Sequence, residues 1–106
     1  MDRLYFAYGS NMNPAQMRFR CPTSKAVARA TLRGYRFAIN SRGVATIVES
    51  EKSSVSGVLW KISRFDEEVL DCFEGVRSGA YVKRRITLSL GGKRRDALVY
   101  VGSDSE

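Results

Sequence analysis

Leu4-Tyr5-Phe6-Ala7-Tyr8-Gly9-Ser10-Asn11-Met12-Asn13-Pro14 decides how the chain folds. Its first five residues are dense in aromatic and apolar groups and stop abruptly at Gly9-Ser10-Asn11, the pattern of a buried strand that ends in a turn. Asn13 before Pro14 pairs an N-cap side chain with proline at the first helical position. Met12 and Met17 stand where a hydrophobic staple brackets that cap. A short helix through about Phe19 follows, stopped before Pro22.

Downstream, Ala26 to Leu32, Tyr35 to Asn40, Val44 to Val48 and Val55 to Ile62 read as strands. Gly34, the Ser41-Arg42-Gly43 turn and the polar Glu51-to-Ser54 stretch separate them. The period changes at Ser63. Ser63 with Asp66 fits a capping box, and Phe65, Val69, Leu70 and Phe73 mark one helical stripe, with Asp66, Glu67, Glu68 and Asp71 largely off it. Tyr81 to Leu90 and Asp96 to Val101 form a hairpin if Gly91-Gly92 is its two-residue turn. Leu90 then faces Lys93 and Arg85 faces Leu98. Ile86, Leu88, Ala97 and Val99 fall on a core face, and Lys83, Arg85, Thr87, Ser89, Arg94 and Asp96 on a solvated one. Seven strands, or six if two merge, with two short helices make a β-rich α+β domain. Without repeats or linkers, residues 1–106 read as one domain, a size at which a single modest core is usual.

The 106 residues hold 18 Lys plus Arg against 11 Asp plus Glu and no histidine, a formal charge of +7. Histidine-based triads, Cys-His pairs and histidine-ligated zinc are excluded for this chain acting alone. Any proton-transfer group must be a carboxylate, a tyrosine or a lysine. No apolar run approaches the ~18 residues of a membrane helix. The start, Met-Asp-Arg-Leu-Tyr, lacks the pattern of a secretory signal, so a cytoplasmic protein is expected. Cys21 and Cys72, without CxxC spacing, read as free thiols. The basic balance keeps nucleic acid as a partner class, through Lys83-Arg84-Arg85 and Lys93-Arg94-Arg95. The hairpin weakens it by putting the clusters at opposite ends and splitting each between two faces, so a plain charged surface ranks first.

Two places can carry chemistry. At the Tyr8-Gly9-Ser10-Asn11 turn, glycine allows close backbone approach, and amide N–H groups leading into a helix can cradle a carboxylate or an oxyanion; plain turn chemistry is the alternative. Glu74 lies four residues after Leu70 and so shares the helix's apolar stripe, an unusual address for a carboxylate. Partial burial at a helix end would raise its pKa toward that of a general base. Gly75 is placed to end the helix. The alternative for Glu74 is a solvated side chain at a frayed end. Tyr81, beyond a Gly79 bend, is close enough in sequence to reach back toward Glu74.

Taken together, these segments carry a resemblance. Tyr5-Phe6-Ala7-Tyr8-Gly9-Ser10-Asn11-Met12 resembles the YGSN signature of the gamma-glutamyl cyclotransferase-like family, and Phe73-Glu74-Gly75-Val76 followed by Ser78-Gly79-Ala80-Tyr81-Val82 resembles its EGV…GxY segment. Gly43-Val44-Ala45-Thr46-Ile47-Val48 and Gly57-Val58-Leu59-Trp60-Lys61 match its strand sequences in the right order. The resemblance implies a small mixed β-barrel flanked by helices and release of 5-oxoproline from a γ-glutamyl amino acid or amine, without a cofactor or metal. It implies that Glu74 is the catalytic glutamate, that Tyr8, Gly9, Ser10 and Asn11 bind the substrate's glutamyl part, and that Tyr81 stands at the pocket. Longer members continue past the last strand with a segment that adds to the pocket, including a further tyrosine. Here the expectation is a wide pocket, or a homodimer in which a second subunit supplies a wall. A catalytically inactive small-molecule-binding protein on the same fold, and a small basic nucleic-acid-binding domain, are the alternatives.

Overall fold

The structure is a computed structural model that describes residues 3–103. The elements follow in the order β1 (Arg3–Ala7), a single 3₁₀ turn (Ser10–Met12), α1 (Pro14–Arg20), β2 (Lys25–Ile39), β3 (Ala45–Ile62), α2 (Arg64–Phe73), β4 (Tyr81–Leu90) and β5 (Lys93–Gly102). The strands form one mixed sheet in the order β2-β3-β1-β5-β4. β1 runs antiparallel to β3 and parallel to β5.

The opening strand is central because both of its faces are apolar. Leu4, Phe6 and Tyr8 turn to one side of the sheet, where they meet Leu32, Ile47, Leu59, Ile86 and Val99. Tyr5 and Ala7 turn to the other, beneath the helices, against Met17, Cys21, Trp60, Ile62 and Leu70. The α1 cap forms as the Asn-Pro pair predicts: Asn13 Oδ1 accepts the Ala15 amide at 2.8 Å, and Met17 is fully buried. Both halves of the α2 capping box are present, Ser63 Oγ and Asp66 Oδ2 each accepting the other's main-chain N–H at 3.0 Å.

The expected six to seven strands are five, because two separators lie inside continuous strands. Gly34, at φ +87°, makes a register shift between Arg33 and Tyr35 of β2 rather than a turn. Opposite it, Ser50 to Ser53 arch out between Glu49 and Ser54 of β3, with the Ser50 and Ser53 hydroxyls 2.9 Å apart. Extra residues absorbed as a bulge bend a strand without ending it.

Nor is the expected barrel closed. The ladder stops at β2 and β4, which have no hydrogen-bonded pairing with each other. Instead the bent β2–β3 hairpin folds its tip over the end of β5. Thr46 Oγ1 accepts the Gly102 amide at 2.8 Å, and Tyr81 donates its hydroxyl to the Ala45 carbonyl at 2.6 Å. Closure by side chains leaves a curled open sheet rather than the continuous ladder of a barrel.

Two face assignments also change. Phe65 and Phe73 are 70% and 49% exposed, whereas Asp66 is buried and Glu67 and Asp71 are half-buried. The reason lies in the sheet below α2. Arg3 and Lys83 ion-pair with Glu67, Lys83 also reaches Asp71 at 3.0 Å, and Tyr100 donates to Asp71 at 2.7 Å. These cations and the hydroxyl draw the acidic edge inward and turn the phenylalanines out. Lys83 therefore belongs to this network rather than to a freely solvated face. The hairpin keeps the expected register, with Leu90 opposite Lys93 and Arg85 opposite Leu98, and Gly91 and Gly92 both at positive φ.

Candidate active site

Glu74 owes its position to the way α2 ends. It is the C-cap residue, and its N–H bonds the Leu70 carbonyl at 2.8 Å. Gly75, at φ +65°, bonds Cys72 O at 3.2 Å, and the Val76 amide reaches back to Asp71 O at 3.1 Å. These two bonds make a Schellman motif, and Val76 packs in the same apolar cluster as Leu70, the accompanying contact. The helix end is closed rather than frayed, and the Glu74 side chain is only 17% exposed.

The turn after β1 is equally determined. Gly9 leads into the 3₁₀ turn, where Met12 N–H bonds Gly9 O at 3.0 Å. The Ser10 and Asn11 amides begin the turn and so have no intrahelical acceptor. Asn11 is 2% exposed and held three ways. Its Nδ2 donates to Tyr5 OH at 3.1 Å, its carbonyl accepts Trp60 Nε1 at 3.0 Å, and its Oδ1 accepts Arg20 Nη1 at 3.1 Å.

Between these features lies a pocket of about 190 Å³, lined by Tyr5, Phe6, Tyr8, Gly9, Ser10, Asn11, Ala45, Glu74, Tyr81 and Tyr100. Every residue that the sequence singles out as a site candidate is on its wall. The Tyr8 hydroxyl donates to the Tyr100 carbonyl as Tyr81 does to Ala45, so both phenols present lone pairs rather than protons to other partners. Burial pushes the Glu74 pKa above the ordinary carboxylate range, and Arg20, with Nη1 4.0 Å from Oε2, pulls part of the way back. Burial, with the Glu74 charge nearby, also raises Tyr81, so it stays a neutral phenol at physiological pH.

Tyr5, Tyr100 and Arg20 are site neighbours that the sequence reading did not assign. Tyr5 and Tyr100 sit on adjacent strands with rings 5.7 Å apart, edge to face, and only the β1–β5 pairing brings them together. Arg20 carried a weak signal, as a cation at the end of a helix that starts beside the Gly9 turn. The thiols are peripheral: Cys72 is exposed, and burial pushes the Cys21 thiol up to about 11. Among the described residues no group of three or more Cys, Asp and Glu is arranged to hold a metal ion, and no helix is long and apolar enough to cross a membrane.

A mixed sheet with helices on one face, and a half-buried carboxylate in the same pocket as a glycine turn, define a small α+β protein. The family model "Gamma-glutamyl cyclotransferase, AIG2-like" matches residues 5–106, and the chain belongs to that family. It is 35% identical over 96 residues to a gamma-glutamylcyclotransferase of Bos taurus, covering 81% of this chain and 51% of that one. With the Homo sapiens gamma-glutamylcyclotransferase it shares 37% identity over 89 residues, covering 74% of this chain and 47% of the relative. The chain thus spans about half the length of the curated relatives it matches. A solved gamma-glutamyl cyclotransferase superposes with a TM-score of 0.92 at 31% identity, over 100% of this chain and 69% of that structure.

Proposed function

We propose that the protein cyclises a γ-glutamyl amino acid or γ-glutamyl amine to 5-oxoproline and releases the amine, with Glu74 as the general base and then the general acid. The observation that carries this reading is a single carboxylate, pushed upward in pKa by burial and set at a rigid helix end, in the same small pocket as the Gly9–Asn11 turn. Membership of the family and the named relatives support the reaction class.

The Glu74 carboxylate takes a proton from the substrate's α-ammonium. The freed nitrogen pair attacks the γ-carbonyl carbon, forming the ring C–N bond and placing negative charge on the carbonyl oxygen. The Ser10 and Asn11 amides are suited to that oxyanion or to the α-carboxylate. Collapse re-forms the carbonyl and breaks the bond to the leaving nitrogen, which receives the proton from Glu74. The attacking nitrogen gives up a second proton, and the amine departs as an ammonium. Ring closure is intramolecular, so holding the γ-glutamyl chain folded supplies much of the acceleration. Tyr8 and Tyr81, whose hydroxyl protons are committed to main-chain carbonyls, offer lone pairs to the α-ammonium.

The test incubates the purified protein with γ-glutamyl dipeptides and γ-glutamyl amines and measures 5-oxoproline. Expected is turnover that falls at least about 100-fold in Glu74→Gln with the fold retained by circular dichroism. Full activity in that variant would sink the assignment. In the active protein the acid limb of kcat/KM lies above the ordinary glutamate pKa of about 4.3, because Glu74 must be ionised and its pKa is raised.

A further inference from the structure

A cation held by three neighbours stands beside the pocket and is assigned no step of the cyclisation. Arg20 ends α1, where basic side chains are favoured by the helix dipole, and its side chain is 18% exposed. Three groups meet its guanidinium: Asn11 Oδ1 at 3.1 Å, Glu74 Oε2 at 4.0 Å, and the Phe73 ring, whose centroid lies 4.3 Å from Cζ. Phe73 directly precedes Glu74, so the cation–π contact ties the guanidinium to the turn that presents the carboxylate. Asn11 is the fixed point of the arrangement, since Tyr5 and Trp60 hold its other polar groups.

We infer that Arg20 is the positioning residue of Glu74: Nη1, anchored on Asn11, sets its charge 4.0 Å from the carboxylate, and the guanidinium stacked on Phe73 fixes the turn that presents Glu74 relative to Asn11 and the glycine turn. The inference rests on the cyclotransferase reading and adds to it a residue that never touches the reacting atoms. The 4.0 Å separation matters. A tight bidentate pair would occupy both carboxylate oxygens and hold the group ionised but unreactive. At this longer distance the charge still acts, while the acceptor positions of Glu74 remain open to a substrate N–H.

Among the described residues, the remaining groups facing Glu74 leave Arg20 as the only nearby countercharge. Tyr5 and Tyr8 face it from β1 and its turn, Tyr81 from the start of β4 and Tyr100 from β5, and burial raises the pKa of all four above that of a free phenol. Asn11 is neutral. Without Arg20 no charge among the described residues opposes the desolvation that favours the protonated acid. A further rise shrinks the ionised fraction of Glu74 that can accept the α-ammonium proton.

The test compares Arg20→Gln and Arg20→Lys with the wild type, using pH profiles of 5-oxoproline release from one γ-glutamyl dipeptide. Arg20→Gln removes the charge, and the acid limb of kcat/KM is expected to move up by about one pH unit. Arg20→Lys keeps the charge but has no planar guanidinium to stack on Phe73 while bonding Asn11, so the limb stays near its wild-type position while kcat falls about tenfold. An arginine that merely stabilised the fold would lower the Tm in both variants and leave the limb unmoved, which overturns the inference. So does a wild-type kcat in Arg20→Lys, and that comparison decides alone if Arg20→Gln does not fold. Failure of the underlying reading looks different. It shows as no 5-oxoproline from the wild type, or as full activity in Glu74→Gln, whatever the Arg20 variants do.

Discussion

Each of the pocket's four tyrosine hydroxyls is hydrogen-bonded to the scaffold. Tyr81 is the clearest case. Its hydroxyl donates to the Ala45 carbonyl at 2.6 Å, which anchors β3 to the start of β4, while the oxygen keeps lone pairs in the pocket. Tyr81→Phe deletes both functions. Losing the bond to the carbonyl costs about 1 kcal/mol, a Tm fall of roughly 4–8 °C for a domain this size. Losing the acceptor weakens capture of an ammonium, so KM is expected to rise more than kcat falls, as steady-state kinetics on a γ-glutamyl dipeptide would show. An equal loss in kcat and kcat/KM would instead give Tyr81 a role confined to the transition state. What could be read from the sequence at this scale followed from local spacing. Glu74 stands one helical turn beyond Leu70, and the Gly9 turn directly follows a strand. Arg20 and Tyr100 could not be found that way, because each acquires its partners only when an element distant in sequence packs against it.

At the level of the element, the α2 terminus is the device that turns a sequence position into a fixed carboxylate. Gly75 adopts φ +65°, and a Cβ there would lie 3.1 Å from both Ala80 Cβ and Ser78 Oγ. Left-handed backbone costs an L-residue roughly 1–2 kcal/mol, and the crowding adds to it. Gly75→Ala is expected to lower the Tm by roughly 5–10 °C and to reduce kcat more than that loss of stability explains, since the strain is relieved by moving the Glu74 carboxylate. Thermal denaturation and kinetics well below the Tm separate the two effects, and a destabilised variant with wild-type kcat would show that the motif has no bearing on the base. The ends of α2 were legible because caps are local chemistry: Ser63, Asp66 and Gly75 all act as their types predict. Its buried face was not. Periodicity counts apolar residues, and it cannot register that Arg3, Lys83 and Tyr100 beneath the helix make Glu67 and Asp71 better inward residues than Phe65 and Phe73. The same limit explains the strand count, since neither a glycine such as Gly34 nor a polar stretch such as Glu51 to Ser54 distinguishes in sequence between a turn and a bulge.

For the whole molecule, the consequential feature is the way the curled sheet is held shut without a closing ladder. The β2–β3 hairpin reaches the end of β5 through Thr46, fully buried, whose hydroxyl accepts the Gly102 amide at 2.8 Å. A side chain at Gly102 would force Asn40 and Thr46 to shift, because a Cβ would come within 2.9 Å of Asn40 Nδ2 and 3.1 Å of Thr46 Cβ. The contact also sets the pocket, for Ala45 and Tyr100, two wall residues, lie one position before Thr46 and two before Gly102. Thr46→Val tests this closure with little change in volume. It leaves the Gly102 N–H buried without an acceptor, at a cost of about 1–3 kcal/mol. A two-state domain of this size should then lose roughly 5–20 °C in Tm. The hairpin tip should also separate from β5, seen as faster hydrogen exchange of the Gly102 amide and of the Ala45–Val48 segment than of β1, the central strand. Uniformly faster exchange across the sheet would mean that Thr46 supports global stability alone. Exchange confined to the tip, together with a raised KM for a γ-glutamyl substrate, would show that one buried hydroxyl keeps the pocket's far wall in place where a barrel would use a strand.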